Sequence, residues 1–224
     1  MSVVGDNLMA VRASLPEGVR LVAVSKFHPA ECVMEAYNAG QRMFGESRVQ
    51  ELQAKAGQLP SDIQWHFIGH LQSNKVRQLL SLPVALIESV DTERLLELID
   101  EESERRGIVS RVLLQLHVAQ EETKFGFSPD ELRQYFAERR FESLKATHIC
   151  GLMGMASNTD DVDRIRADFG LIASIYNDIR NDESLGLRGF DVLSMGMSDD
   201  RDIAIAQGSN LVRVGTAIFG LREY

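Results

Sequence analysis

Short apolar runs alternate with longer amphipathic segments along nearly the whole chain. The run LVAVSK (21–26) is typical of a strand covered on both faces, because Val22 and Val24 favour extended backbone and have apolar neighbours. The next segment has helix signals, with Pro29 suited to a first turn and Gly40 to a stop. Seven further runs of the first kind follow: RMFGES (42–47), IQWHFIG (63–69), ALIESV (85–90), RVLLQLHV (111–118), THICGLMGM (147–155), DVLSMG (191–196) and LVRVGT (211–216).

Eight strands with intervening helices predict a (β/α)8 barrel of the α/β class, formed by residues 1–224 as a single domain. An additional helix is predicted over residues 7–15, before the first strand. An open, doubly wound sheet is the structural alternative. In a barrel the reactive groups lie where strands run into the following loops. The polar residues expected around one mouth are therefore Lys26, Ser47, His70, Ser194, Arg213 and Thr216.

The composition narrows the class of protein. The chain has 44% hydrophobic and 25% charged residues, as an ordinary globular protein does. Its net charge of −9 argues against a nucleic-acid surface, which needs clustered Lys and Arg. No apolar run approaches the ~20 residues that a membrane span requires. With only Cys32 and Cys150 and no signal-like amino end, we expect a cytoplasmic protein with reduced thiols.

Lys26 ends the first strand on the same face as Val22 and Val24. One interpretation is a lysine whose stem carries the charge out to solvent. The other is a reactive amine, because partial burial or a neighbouring cation lowers the pKa of lysine and frees a lone pair that condenses with an aldehyde. Spacing alone leaves both open.

Two loops near the carboxyl end combine glycines with hydroxyl groups. In SMGMSDD (194–200), Gly196 permits a close backbone approach and Ser198 is suited to cap the next helix. The stretch VGTAIFG (214–220) provides a second glycine and hydroxyl. Loops after the seventh and eighth strands of barrels frequently hold phosphate, which predicts an anion site here. The alternative is that the glycines are ordinary turn residues.

Arg213 lies within the last strand, where an inward guanidinium needs an acceptor. That acceptor is either a carboxylate, such as Glu46 or Glu88, or an atom of a ligand. His66 and His70 are spaced as a metal pair on a helix would be, but their segment reads as a strand and has no neighbouring cysteine. We therefore predict no metal site.

These motifs together resemble those of the pyridoxal 5′-phosphate homeostasis protein family, single-domain relatives of the barrel of alanine racemase. The likeness covers nearly the whole chain, and the motifs are specific jointly rather than singly. In order they are LVAVSK (21–26), FGES with VQE (44–51), WHFIGHLQSNK (65–75), TKFG (123–126), GLMGM (151–155), LSMGMSDD (193–200) and VRVGTAIFG (212–220).

The resemblance implies the fold of the alanine racemase amino-terminal domain, fold type III among pyridoxal phosphate proteins. It also implies that pyridoxal 5′-phosphate is the cofactor and that Lys26 holds it as a Schiff base. Ser47 and His117 stand where many members have asparagine, which puts contacts at those two positions in doubt. The other implied contacts are Ser194, Gly196, Met197, Gly215 and Thr216 to the phosphate, Arg213 to the pyridine nitrogen, and Asn74 and Met153 near the ring.

The function implied by the resemblance is vitamin B6 homeostasis. The protein would store or buffer the cofactor, or pass it to pyridoxal phosphate-dependent apo-enzymes, as a monomer and without a substrate of its own. Racemisation needs a second base opposite Lys26, and we expect Tyr37, Tyr135 and Tyr176 to lie on helices, with Tyr224 at the extreme carboxyl end. Two alternatives stay open: a small racemase or related enzyme that uses the same cofactor, and a sugar-phosphate lyase that uses Lys26 without one.

Overall fold

The computed structural model describes residues 2–119 and 125–221. Thr123 and Lys124 of the TKFG motif, and Tyr224, lie outside these ranges. Strands and helices alternate as the hydrophobic pattern predicts. The strands are β1 (Arg20–Val24), β2 (Met43–Glu46), β3 (Gln64–Phe67), β4 (Val84–Val90), β5 (Ser110–Leu116), β6 (Thr147–Gly154), β7 (Val192–Ser194) and β8 (Leu211–Val214).

The helices lie before, between and after the strands. They are α1 (Val3–Ser14), α2 (Ala30–Asn38), α3 (Val49–Ala56), α4 (Val76–Leu79), α5 (Glu93–Arg106), α6 (Pro129–Ala137), α7 (Val162–Asn181), α8 (Arg201–Ala206) and α9 (Thr216–Phe219). Short 3-10 turns occur at Ser73–Lys75, Arg140–Ser143 and Glu183–Leu185. Within the described ranges, no helix combines the length and apolar character needed to cross a membrane.

The sheet closes into a barrel because β1 pairs in parallel with both β2 and β8. The closing register joins Val22 to Arg213 and Ala23 to Val214. A doubly wound sheet would leave its outer strands unpaired on one side, so that alternative is wrong. The predicted (β/α)8 barrel is confirmed.

The amino-terminal helix begins earlier than predicted, at Val3 rather than Asn7. The Ser2 hydroxyl caps it by accepting a 3.1 Å hydrogen bond from the Gly5 amide, a signal that apolar periodicity does not report. Asn7 donates from Nδ2 to the Ile218 carbonyl at 3.1 Å. This bond joins α1 to α9, beside the point where the barrel closes.

The interior of the barrel is packed with side chains, most of them apolar and some of them polar. The apolar part contains Val22, Leu86, Leu113, Cys150, Met153, Val192 and Leu211. Four polar residues are buried with it: His66, Glu88, Ser194 and Arg213. Because buried charges are costly unless paired, the contacts of these polar residues determine what the mouth above them can bind.

Candidate functional site

A cavity of about 200 Å³ opens at the carboxyl ends of the strands. Six of the residues predicted from the sequence line it together: Lys26, Met153, Met197, Arg213, Gly215 and Thr216. The remaining lining residues are Val24, His28, Ile68, Met155, Ser198 and Asp199. The cavity therefore combines an amine, a buried guanidinium, an imidazole, a carboxylate, two hydroxyls and apolar walls.

Lys26 lies two residues after the last residue of β1 and is partly buried. Its neighbour Ser25 continues the pairing with β2, since the Ser25 amide donates to the Gly45 carbonyl at 3.0 Å. The chain then turns sharply, with the His28 amide donating to the Ser25 carbonyl at 3.1 Å. The predicted face is correct: Val24 and Lys26 both line the cavity.

Arg213 forms the floor of the cavity and is only 4% exposed. Its Nη1 donates to the Ser194 carbonyl at 2.9 Å and to the Ser194 hydroxyl at 2.5 Å, and its Nη2 donates to the Gly154 carbonyl at 3.1 Å. Burial lowers the pKa of Arg213, and the charge of Glu88 opposes the shift. A guanidinium keeps its proton in proteins, so the floor of the cavity is cationic.

Glu88 is the carboxylate that balances this charge, and Glu46 is not part of the arrangement. Glu88 Oε2 lies 3.7 Å from Arg213 Nη1, and its Oε1 lies 2.5 Å from His66 Nδ1. Burial alone would raise the pKa of Glu88, but the hydrogen bond and charge of His66, with Arg213 and Ser194, lower it overall. The carboxylate form of Glu88 is thus the one that these contacts stabilise.

Ser194, which was expected at the phosphate, is not among the residues that line the cavity. It is fully buried, and its hydroxyl donates to Glu88 Oε2 at 2.6 Å while it accepts from Arg213. Ser198 is the serine of this loop that faces the cavity. Ser198 is also not the cap of α8, because Asp200 occupies the residue before that helix.

Gly196 and the Met197 amide both have close neighbours in and before α8. A Cβ on Gly196 would lie 2.7 Å from Ala204 Cβ and 2.8 Å from Arg201 Cα, so the glycine permits the close approach of α8. The Met197 amide donates to Asp200 Oδ1 at 2.6 Å. Asp200 therefore uses the amide that was expected at the phosphate, while the Met197 side chain lines the cavity.

Asn74 lies outside the cavity and is exposed in the 3-10 turn Ser73–Lys75. With Arg77 and Leu98 it lines a separate groove against α5. Neither Ser47 nor His117 lines the cavity.

Sequence reasoning missed Ser198 because two aspartates follow it, which is typical of a helix start. The repeated hydroxyl in SMGMS was the available signal. His28 also lines the cavity, and it stacks on Phe219 with ring centroids 5.2 Å apart. In the described part of the chain, no group of three His, Cys, Asp or Glu residues is arranged to hold a metal ion.

Comparison with known proteins relates the whole barrel to one group. The family described as alanine racemase, N-terminal domain, matches residues 2–223. The pyridoxal phosphate homeostasis protein of Schizosaccharomyces pombe is 38% identical over 230 residues, which is 99% of this chain and 94% of that protein. The human protein of the same name is 39% identical over 215 residues, 92% of this chain and 77% of its own length.

Solved structures agree with these relatives. PipY of Synechococcus elongatus PCC7942, solved with PLP bound, is 36% identical and has a TM-score of 0.88, covering 97% of this chain and all of its own. The alanine racemase of Streptomyces coelicolor A3(2) has a TM-score of 0.77 at 20% identity, covering 98% of this chain and 58% of that enzyme. At that identity the racemase supports the fold alone.

Proposed function

This chain belongs to the pyridoxal phosphate homeostasis protein family, and on that premise we propose that it binds pyridoxal 5′-phosphate at Lys26 and buffers or delivers it. The observation that carries the proposal is one cavity of about 200 Å³ that contains Lys26, Ser198, Thr216 and the buried Arg213. An amine, hydroxyls and a fixed cation are the groups that an aldehyde bearing a phosphate and an aromatic ring requires.

The lining residues fit the cofactor part by part. When bound, pyridoxal 5′-phosphate supplies an aldehyde that a lysine amine can hold covalently. The Ser198 and Thr216 hydroxyls, beside Gly215, are suited to donate hydrogen bonds to a phosphate. Met153 and Arg213 line the same cavity and would bound the ring, with the guanidinium next to the pyridine nitrogen.

We further propose that the protein carries the cofactor without using it for amino-acid turnover. Racemisation needs proton-transfer groups on both faces of the α-carbon. None of the tyrosines within residues 2–119 and 125–221 lines the cavity. Arg213 also supports binding over turnover, since a cation beside the pyridine nitrogen keeps that nitrogen unprotonated and weakens the ring as an electron sink.

The test begins with the absorption spectrum of the purified protein mixed with pyridoxal 5′-phosphate, before and after borohydride reduction. We expect a near-ultraviolet or violet band, and reduction should fix the cofactor to the peptide that contains Lys26. Lys26→Ala should abolish the attachment, whereas Lys75→Ala, in the groove behind His70, should leave it unchanged. Attachment only at another lysine would overturn the assignment.

Delivery to apo-enzymes and a monomeric state belong to the same proposal. The loaded protein, separated from free cofactor, should restore activity to a pyridoxal phosphate-dependent apo-enzyme, and the reduced conjugate should not. Sedimentation should give the mass of one chain, 25.0 kDa. Restoration by the reduced conjugate at the same rate would contradict delivery.

A further inference from the structure

The turn that carries Lys26 has an unfavourable backbone conformation. Phe27 has a φ of +68°, a region that bulky residues other than glycine rarely adopt. Such a conformation persists only where the surrounding structure imposes it. The contacts of Ser25 and Phe27, on either side of Lys26, show what imposes it.

Both flanking residues are hydrogen-bonded to the end of β2 or to α3. The Phe27 amide donates to Glu51 Oε1 at 2.6 Å. The Ser25 carbonyl accepts from Lys55 Nζ at 2.8 Å, and the Ser25 hydroxyl donates to Glu46 Oε1 at 2.6 Å. The backbone is thus held immediately before and immediately after the reactive lysine.

The three residues that hold the turn form one cluster, which we call the ionic clamp: Glu46, Glu51 and Lys55. Lys55 Nζ lies 2.7 Å from Glu46 Oε1 and 2.8 Å from Glu51 Oε1, which with Ser25 occupies all three of its donors. Lys55 is 5% exposed and Glu46 is fully buried. The clamp joins the end of β2 to α3 directly behind the turn.

The clamp is costly if it serves stability alone. Moving an ammonium and a carboxylate out of water carries a large desolvation penalty, and packed apolar residues often replace buried ion pairs without loss. No residue of the clamp lines the Lys26 cavity. Glu51 and Lys55 instead line a separate groove together with Phe27 and His28. The cofactor site therefore does not use these residues directly.

A second contact acts on the same turn. The guanidinium carbon of Arg48 lies 4.8 Å from the centre of the Phe27 ring, within the range of a cation–π interaction. Arg48 precedes α3, so the ring and the amide of Phe27 are both held by one short segment. Glu51 of the VQE motif (49–51) therefore contacts the turn that carries Lys26, although it does not line the cavity.

We propose that Glu46, Glu51 and Lys55 are positioning residues that hold Phe27 in its left-handed conformation, so that the Lys26 amine is directed into the cavity. The inference rests on the proposed function, because the amine that they position is the one proposed to hold the cofactor. Loss of the clamp impairs covalent capture at Lys26 without removing a contact to the cofactor.

The main test compares Glu51→Ala with Glu51→Gln. Glutamine keeps an oxygen that accepts from the Phe27 amide, whereas alanine does not. We expect Glu51→Ala to slow covalent capture of pyridoxal 5′-phosphate at least about tenfold, the equivalent of one hydrogen bond to a charged group, and Glu51→Gln to retain most of the rate. Pyridoxine 5′-phosphate, which has no aldehyde, should bind both variants and the wild type equally.

A second measurement needs no cofactor. Amide hydrogen exchange at Phe27 and His28 in the free protein should be faster in Glu51→Ala than in the wild type or Glu51→Gln. Lys55→Met, an apolar replacement of similar length, should show the same pair of defects if Glu51→Ala does not fold. In the Glu51→Ala background, Phe27→Gly should recover part of the capture rate, because glycine adopts this φ freely.

Three results would overturn the inference. They are wild-type capture by Glu51→Ala, an equal loss of affinity for pyridoxine 5′-phosphate, or unchanged exchange at Phe27 in both Glu51→Ala and Lys55→Met. Failure of the proposed function is distinct, because the wild type itself would then attach no cofactor at Lys26. In that case the exchange measurements still report on the clamp.

Discussion

The Arg213 guanidinium and the Ser194 hydroxyl are joined by a 2.5 Å hydrogen bond from Nη1 to Oγ. The hydroxyl in turn donates a hydrogen bond of 2.6 Å to Glu88 Oε2, so it bridges a buried cation and a buried anion. Ser194 therefore belongs to the floor of the cavity, and its replacement should affect how Arg213 is held.

Ser194→Ala should weaken binding of pyridoxal 5′-phosphate and of pyridoxal by the same factor, because both present the same ring to Arg213. We expect the free energy of unfolding to fall by about 1 to 3 kcal/mol, since a buried hydrogen-bonded pair loses its bridge. Equilibrium dialysis with both ligands measures the ratio. If only the affinity for pyridoxal 5′-phosphate fell, Ser194 would be a phosphate contact and this prediction would be wrong.

Ser198→Ala should have the opposite selectivity. Its hydroxyl faces the cavity beside Thr216, so its loss removes a hydrogen bond that only the phosphate accepts. We expect affinity for pyridoxal 5′-phosphate to fall about ten- to hundredfold, the equivalent of about 1.5 to 3 kcal/mol, with affinity for pyridoxal little changed. Thr216→Val should act alike, and Ser194→Ala is the matched control.

Glu46→Gln should remove a pH dependence of stability. Burial raises the pKa of Glu46 from its ordinary 4.5 to about 7, against the pull of Lys55 and Ser25. Its Oε2 is buried and has no hydrogen-bond partner among the described residues, so it is suited to carry the proton. The raised pKa means that the neutral carboxyl group stabilises the folded protein. This contribution is fully present below the ordinary pKa of 4.5 and is lost as the pH rises through the folded-state pKa of about 7.

Urea unfolding of the wild type and of Glu46→Gln at several pH values, from about pH 5 to about pH 8, measures this loss of stability. The stability of Glu46→Gln minus that of the wild type should increase with pH by up to about 3 kcal/mol. Glu102→Gln is the control, because hydrogen bonds from Arg105 and Arg106 lower the pKa of Glu102 to about 2. Its difference from the wild type should be flat across the same range.

The protein should not racemise amino acids at an enzymatic rate. Lys26 serves one face of a substrate. The other side chains of the lining that could act as a base are His28, which is stacked against Phe219, and Asp199, which is exposed. Solvent deuterium incorporation into L-alanine, with chiral analysis of the product, is the measurement. Turnover near 1 s⁻¹ or faster, abolished by both Lys26→Ala and His28→Ala, would establish an enzyme instead of a carrier.

Gly151→Ala should destabilise the barrel severely. A Cβ at this position would lie 1.8 Å from the Val192 carbonyl oxygen, and the φ of +149° is itself unfavourable for alanine. We expect a loss of at least about 3 kcal/mol in the free energy of unfolding. Gly186→Ala separates the two causes, because its φ is +62° but the space around it is open, so it should cost only about 1 to 2 kcal/mol.

The sequence by itself determined the order of strands and helices and the face on which Lys26 lies. Both follow from local rules, since branched apolar residues favour extended backbone and side chains alternate along a strand. A glycine that ends a helix was also readable, as Gly40 shows with its φ of +90° just after α2. These features depend on neighbours in the chain.

Only the tertiary structure decided which serine of SMGMS faces the cavity. Ser194 is hydrogen-bonded to Arg213 and Glu88, which lie on other strands. The path of the loop after Ser194 is set by the packing of Gly196 against α8. The position of Asn74 was likewise decided by tertiary contacts, because its 3-10 turn lines a groove together with residues of α5. The direction of a loop side chain depends on contacts between residues far apart in sequence, and the local pattern of apolar and polar residues does not predict those contacts.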